Sequence, residues 1–195
     1  MTTSYRIFHL ILKLTIAATL FALTSCEREY NEPYENFTLP EGKHDKGIKA
    51  QSLQSSTLRF EAIFDQSAIY QTQIVENQHD INKLLGFSDC NSFHHGNSAR
   101  LGWRWLDGQL EIHAYAYVNG ERIIEFVGTV ALDMSNSYQI KMTDDAYIFY
   151  LEGFDPVEIK RGNHCDKGLY YMLFPYFGGD EVAPHDILIQ IRIDY

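Results

Sequence analysis

Ile187, Ile189, Ile191 and Ile193 occupy every second position near the C-terminus, alternating with Leu188, Gln190, Arg192 and Asp194. Residues i and i+2 share a face only in an extended chain, whereas a helix repeats at i+3 and i+4. The same period runs from Gln109 to Val118. Leu110, Ile112, Ala114, Ala116 and Val118 fall on one face, and Glu111, His113, Tyr115 and Tyr117 on the other. Leu58, Phe60, Ala62 and Phe64 alternate with Arg59 and Glu61 in the same way. Each of these segments therefore reads as a strand with one face buried and the other exposed or facing a ligand.

Further strand candidates are Arg100–Trp105, Arg122–Val130, Ser137–Met142, Ala146–Leu151, Val157–Lys160 and Leu169–Phe174. Turn signals lie between them at Asp107-Gly108, Asn119-Gly120 and Asp144-Asp145. One short helix is expected at Ile81–Leu85, with Asp80 as its N-cap and Gly86 as its stop. Strands do not alternate with helices, which argues against a parallel α/β sheet. About nine short strands at hairpin spacing predict an all-β antiparallel sandwich. The 13 Tyr and 12 Phe suit such a sheet-rich core. A formal charge of −10 leaves no overall basic footprint for nucleic acid.

The first 25 residues read as an export signal. Arg6 supplies positive charge, and the uninterrupted apolar run Leu14–Leu23 is too short to span a ~30 Å hydrocarbon core. It ends in Leu23-Thr24-Ser25-Cys26, which resembles the lipobox of bacterial lipoproteins. The resemblance implies that Cys26 is lipidated and becomes the mature N-terminus, which anchors the chain to a membrane. Glu27 and Glu29 directly after the anchor resemble the export tag of surface lipoproteins in some Gram-negative bacteria, although Arg28 interrupts them. The expected location is the outer membrane, on the cell surface, with its periplasmic face as the alternative. Residues 26–56 are polar, contain Pro33, Pro40, Gly42 and Gly47, and show no period, so they are expected to form a tether. In the alternative, Tyr34, Phe37 and Leu39 dock this segment on the domain. The sandwich is expected over residues 57–195. With Cys26 lipidated, Cys90 and Cys165 remain for a disulfide in an oxidising compartment.

The segment Val130–Arg161 runs through Tyr138-Gln139-Ile140-Lys141-Met142, the turn at Asp144-Asp145, and Ala146–Gly153. It resembles the middle of a concanavalin A-like jelly roll. Phe174-Pro175-Tyr176-Phe177-Gly178-Gly179, followed by the last amphipathic strand, resembles the closing segment of that fold. The resemblance implies contact with carbohydrate, while leaving function to be argued from the site itself.

Hydrolysis of a glycoside requires two carboxylates at set separation. The pairs Asp144-Asp145 and Asp180-Glu181 are adjacent, so their side chains point apart in extended chain, and Glu111 and Glu125 are single acids on separate strands. Lyase chemistry on a uronate requires a cation or amide for the carboxylate and a Tyr or His to move the proton. His113, Tyr115 and Tyr117 share a face with Glu111, and Arg100 and Arg104 fall on a candidate neighbouring strand. No repeated Cys or His spacing supports zinc at His94-His95, His164-Cys165 or His185-Asp186. Asp144, Asp145 and Asp180 are the candidates for calcium. No metal and no cofactor is therefore expected. Both tryptophans lie at Trp103 and Trp105. They offer either a stacking surface for sugar or core packing, and at least one is expected in the core.

Arg100, Arg104, Glu111, His113, Tyr115 and Tyr117 together form the expected ligand face. The expected role is non-catalytic binding of a glycan or other surface ligand. The alternatives are a jelly-roll polysaccharide lyase and a structural lipoprotein that binds an envelope protein.

Overall fold

A computed structural model describes residues 33–47, 49–162 and 168–194, which belong to one compact unit, Pro33–Tyr195. The export signal, Cys26 and Cys165 lie outside the described residues.

Eleven strands follow one another in the chain: β1 (Glu35–Leu39), β2 (Thr57–Phe64), β3 (Asn82–Ser88), β4 (Ser98–Leu106), β5 (Gln109–Val118), β6 (Glu121–Val130), β7 (Asn136–Met142), β8 (Ala146–Leu151), β9 (Val157–Lys160), β10 (Met172–Leu173) and β11 (Ile187–Asp194). They form two antiparallel sheets, in the orders β1-β11-β2-β7-β8-β9 and β10-β3-β4-β5-β6. This is the antiparallel sandwich that the two-residue period predicts. Ile189, Ile191 and Ile193 lie opposite Phe64, Ala62 and Phe60, so the alternating faces of β11 and β2 meet in one buried layer. Phe87, Leu101, Trp103, Leu110, Ile112 and Ala114 supply the facing layer from the five-stranded sheet. Fully burying an aliphatic or aromatic side chain of this size is worth about 1.5–3 kcal/mol.

The hairpin signals act as their chemistry requires. Asp107 and Gly108 have φ of 50° and 77°, and Asn119 and Gly120 of 53° and 86°, so both turns are left-handed at their two central residues. Such turns match strand twist, and they join β4 to β5 and β5 to β6 without slack.

The helix expected at Ile81–Leu85 is not formed, because those residues lead into and belong to β3. The β3–β4 register shifts between Lys83 and Leu85, and this bulge buries Leu84 and Leu85 side by side. With buried Ile81 they leave apolar residues at i, i+3 and i+4, the spacing of a helix. The only helical turns among the described residues are two short 3-10 segments, Gln66–Ala68 and Val75–His79.

The sandwich also begins earlier than Thr57. β1 pairs with β11 along its whole length, Leu39 is 1% exposed, and Phe37 stacks on Phe174 at 5.7 Å. Tyr34 donates to Glu61 at 2.5 Å. Residues 34–39 of the expected tether are therefore part of the domain, held by the aromatic and apolar side chains that a free linker would lack. The strand expected at Leu169–Phe174 is reduced to β10, with Tyr171 making one isolated bridge to Ser52.

A cationic pocket on the outer face of the five-stranded sheet

Strand register decides which side chains share the outer face. Across β4 and β5, Arg100 lies opposite Tyr115, Arg104 opposite Glu111 and Ser98 opposite Tyr117. Across β5 and β6, Tyr117 lies opposite Arg122, and Tyr115 opposite Ile124. The residues expected on one face are thus neighbours in space, but they divide into two groups.

Arg100, Tyr115 and Tyr117 line a cavity of about 320 Å³. Lys83 from β3, Arg122 from β6, the His94-His95 loop, and Tyr176 and Asp180 after β10 also line it, Asp180 being its one carboxylate among the described residues. Arg104, Glu111 and His113 form a polar cluster further along the sheet. Arg104 Nε donates to Glu111 Oε2 at 2.6 Å, and His113 Nε2 meets the same oxygen at 3.0 Å. Burial alone would raise the Glu111 pKa, but the bonds from Arg104 and His113 outweigh it and hold the carboxyl below its ordinary range. Burial pushes the His113 imidazole down despite Glu111, which favours its neutral form. A carboxylate only accepts, so the neutral ring carries its proton on Nε2 and leaves Nδ1 buried without a partner.

The cavity floor depends on a glycine. A Cβ on Gly86 would lie 2.1 Å from Ala99 O and 2.7 Å from Arg100 Cγ, so Gly86 clears the space in which Arg100 lies. Arg100 crosses β3 to donate from Nη2 to Phe174 O at 2.6 Å, and its Nε has no partner. Burial lowers its pKa to about 10. Lys83 sits above, donating to Gly178 O at 2.6 Å. Its ammonium lies 5.2 Å from the Tyr115 ring centre and 5.7 Å from that of Tyr176. Burial first, and then repulsion from Arg100, lowers the Lys83 pKa to about 8. Among the described residues, no ion pair joins Lys83, Arg100 or Arg122 to a carboxylate. Burial and the neighbouring Tyr117 push the Tyr115 phenol up to about 12, so it is a hydrogen-bond donor at neutral pH.

The loop after β10 makes the third wall by alternating its side chains. Tyr176 exchanges backbone bonds with Lys83 at 2.8 and 3.0 Å, and its ring lines the pocket while stacking on His44 at 4.9 Å. Phe177 turns inward against Tyr70 and Trp103. Gly178 has φ of 86°, and its N–H donates to buried Asn82 at 2.6 Å. This segment carries the Phe-Pro-Tyr-Phe-Gly-Gly stretch, so the closing segment also builds the site.

Trp103 is fully buried in the core. Trp105 is half-buried and borders a separate hollow of about 450 Å³ beside Tyr70 and Gln78. Glu111 lies opposite Thr129 and Glu125 opposite Ala114, so these two acids do not form a facing pair. Cys90 is disulfide-bonded, and its expected partner Cys165 lies outside the described residues. Lys83, Arg122 and Tyr176 were not expected in the site. Lys83 was hidden by the bulge that resembles a helix, Arg122 by its place at the start of an edge strand, and Tyr176 by its loop.

No family model and no curated protein matches the sequence. Solved structures match the fold. The alginate lyase AlyC3 superposes with a TM-score of 0.57 at 11% identity, over 83% of this chain and 74% of that one. The alginate lyase from Klebsiella pneumoniae gives 0.53 at 15%, over 71% of this chain, which spans only 58% of that enzyme's length. A Bacteroides ovatus GH16 enzyme of a mixed-linkage glucan locus, in complex with its G4G4G3G product, gives 0.50 at 8%, over 86% and 83%. At these identities the likeness establishes the architecture: the chain has the concanavalin A-like jelly-roll fold shared by these glycan-active enzymes.

Proposed function

We propose that this protein is a lipid-anchored envelope protein that binds an acidic glycan in the Lys83–Arg100–Arg122 pocket without cleaving it. One observation carries the reading. Three cations without a carboxylate partner converge between Tyr115 and Tyr176 in a protein whose formal charge is −10. Concentrating positive charge on one aromatic-walled face costs stability through self-repulsion, and an anionic ligand relieves that cost. Tyrosine faces cover the apolar side of a sugar ring, while guanidinium groups bond its carboxylate or sulfate bidentately. The structural neighbours, two alginate lyases and a GH16 enzyme in complex with its G4G4G3G product, support a carbohydrate ligand. The lipobox-like Leu23–Cys26 supports the anchor and the outer-membrane location.

The lyase reading has its own observation. Arg100 could neutralise a uronate carboxylate, while Lys83, with its pKa lowered to about 8, could take up a proton. Binding remains the leading reading because Tyr115 is held protonated and His113 is occupied by Glu111. Arrays of acidic and neutral oligosaccharides probed with the purified chain test both. The expected result is binding to acidic oligomers, weakened at least tenfold by Tyr115→Ala, since one anchor aromatic contributes about 2 kcal/mol or more. Formation of an unsaturated uronate product, followed by ultraviolet absorbance, would replace the binding reading with the lyase one. Retention of only neutral glycans would overturn the acidic ligand.

A further inference from the structure

The other cations at the pocket, Arg100 and Arg122, are guanidinium groups, and Lys83 supplies an ammonium that lies between two aromatic rings. Its ammonium has three protons, and Gly178 O takes one of them at 2.6 Å. The reciprocal bonds with Tyr176 fix the main chain of Lys83, and the bond to Gly178 O between the Tyr115 and Tyr176 rings locates its amine. We propose that Lys83 is the specificity-determining residue of the pocket, the amine that meets the carboxylate of an acidic sugar ring lying against Tyr115, and that this contact couples binding to proton uptake. The proposal rests on the acidic-glycan reading and adds to it the residue that selects the anion and the pH range over which it does so.

The groups around the amine set the sign. Burial disfavours its positive charge most, and Arg100 from β4 and, least, Arg122 from β6 repel it. Asp80, just ahead of β3, favours the charge by more than Arg122 disfavours it but by less than burial and Arg100 do, and Asp180 borders the cavity from the loop after β10. β5 presents Tyr115 and Tyr117, the loop after β10 presents Tyr176, and the loop before β4 presents His94 and His95. Burial, followed by repulsion from His95, Arg100 and Lys83, pushes His94 down, which keeps it neutral above pH 7. The net result in the empty pocket is a Lys83 pKa of about 8. A carboxylate in contact favours the charged amine and returns its pKa toward the ordinary lysine value. The bound state therefore holds more protons than the free state between pH 7 and 9. By linkage, affinity falls as pH rises through the free value, by about tenfold across that interval, and about half a proton is taken up per ligand at pH 8. Arg100, at about 10, keeps its charge over most of this interval. Imidazoles ordinarily change charge below it.

The test is calorimetric titration of the purified full-length chain with hexameric oligouronates, at pH 7, 8 and 9 and in two buffers of different ionisation enthalpy. The wild type should lose about tenfold in affinity from pH 7 to 9 and take up about half a proton at pH 8. Lys83→Arg keeps the charge but does not titrate in this range, so it should bind with a flat pH profile and no proton uptake. Lys83→Met should lose most of the preference for acidic over neutral hexamers and all of the proton uptake, leaving the weaker, pH-independent preference that Arg100 and Arg122 supply, with near-ultraviolet circular dichroism confirming the fold. Tight wild-type binding that is independent of pH, or an unchanged pH profile in Lys83→Arg, overturns the role of Lys83 while leaving the acidic-glycan reading intact. Failure of every oligouronate to bind overturns the acidic-glycan reading and this proposal with it.

Discussion

Asp89→Ala should be among the most damaging single substitutions in the domain, although Asp89 touches no part of the pocket. Asp89 follows β3, is 1% exposed, and accepts from Arg161 Nε at 2.6 Å and Nη2 at 2.7 Å. The hydroxyl of Tyr147 on β8 donates to the same carboxylate. Arg161 follows β9 and gives its remaining Nη1 to Thr143 O at 2.9 Å. The cluster therefore ties one end of the five-stranded sheet to the six-stranded sheet through a buried bidentate pair. Burial and the bond to Asp89 push the Tyr147 phenol up, and Asp89 holds Arg161 charged against the cost of its burial. Removing the carboxylate leaves a buried guanidinium without its counter-ion, at a cost of about 3–5 kcal/mol. In a domain of this size each kcal/mol moves Tm by about 2–4 °C, so the expected loss is about 6–20 °C. Thermal unfolding without reductant, followed by circular dichroism, measures it. Asp89→Leu combined with Arg161→Met should recover much of the loss, because a buried pair replaced by apolar groups costs little. A Tm within about 2 °C of wild type for Asp89→Ala, or a double mutant as unstable as the sum of its singles, would refute the reasoning. The effect should reach the site as well. Asp89 N–H donates to Asn97 O at 2.8 Å, and Asn97 Oδ1 accepts from Asn119 N–H at 2.8 Å, which secures the loop bearing His94 and His95.

Two further outcomes follow from the neighbouring residues. Glu111 has a depressed folded-state pKa, so its cluster adds stability above the unfolded carboxylate value of about 4.3 and loses it as pH falls through the folded value; Glu111→Gln should flatten that acid limb in urea melts taken from pH 6 to 2. Gly86→Ala should cost about 1–3 kcal/mol and weaken ligand binding together with stability, because its methyl would meet the β4 backbone at Ala99 O and Arg100 Cα as well as Arg100 Cγ; a variant that melts and binds like wild type would show that neither β4 nor Arg100 depends on that space.

The sandwich was readable because most of its strands bury one face and leave the other polar. Where both hold, as in β5 with Leu110, Ile112 and Ala114 inward and Glu111 outward, the residues declare the strand and its orientation together. The type of the two hairpin turns was readable for the same local reason, since Asp107-Gly108 and Asn119-Gly120 carry the residues that left-handed turns demand. β1 was not readable, because its hydrogen bonds are all to β11 at the far end of the chain, and the stretch Glu35–Leu39 has too few apolar residues to show a period. Its docking depends on Phe37 meeting Phe174, a contact that sequence spacing cannot supply.

The site divides along the same line. Arg100 and Tyr115 could be placed on one face because the β4–β5 hairpin is closed by a two-residue turn, and a tight turn fixes register. Lys83 could not, because register beyond a bulge cannot be counted from alternation. The extra residue at Leu84 reverses the parity of everything before it relative to β4, and a reader who counts through it turns Lys83 away from the outer face. The bulge does more than obscure the pattern. It lets Leu84 and Leu85 both reach the core while Lys83, one step earlier, still points outward beside Gly102. An unbroken strand with Leu85 inward would turn Lys83 inward too, and the pocket would keep its two guanidinium groups but lose its amine. The irregularity that hides Lys83 from the sequence is therefore the feature that delivers it to the pocket, in line with the enrichment of bulges where a side chain must be re-aimed.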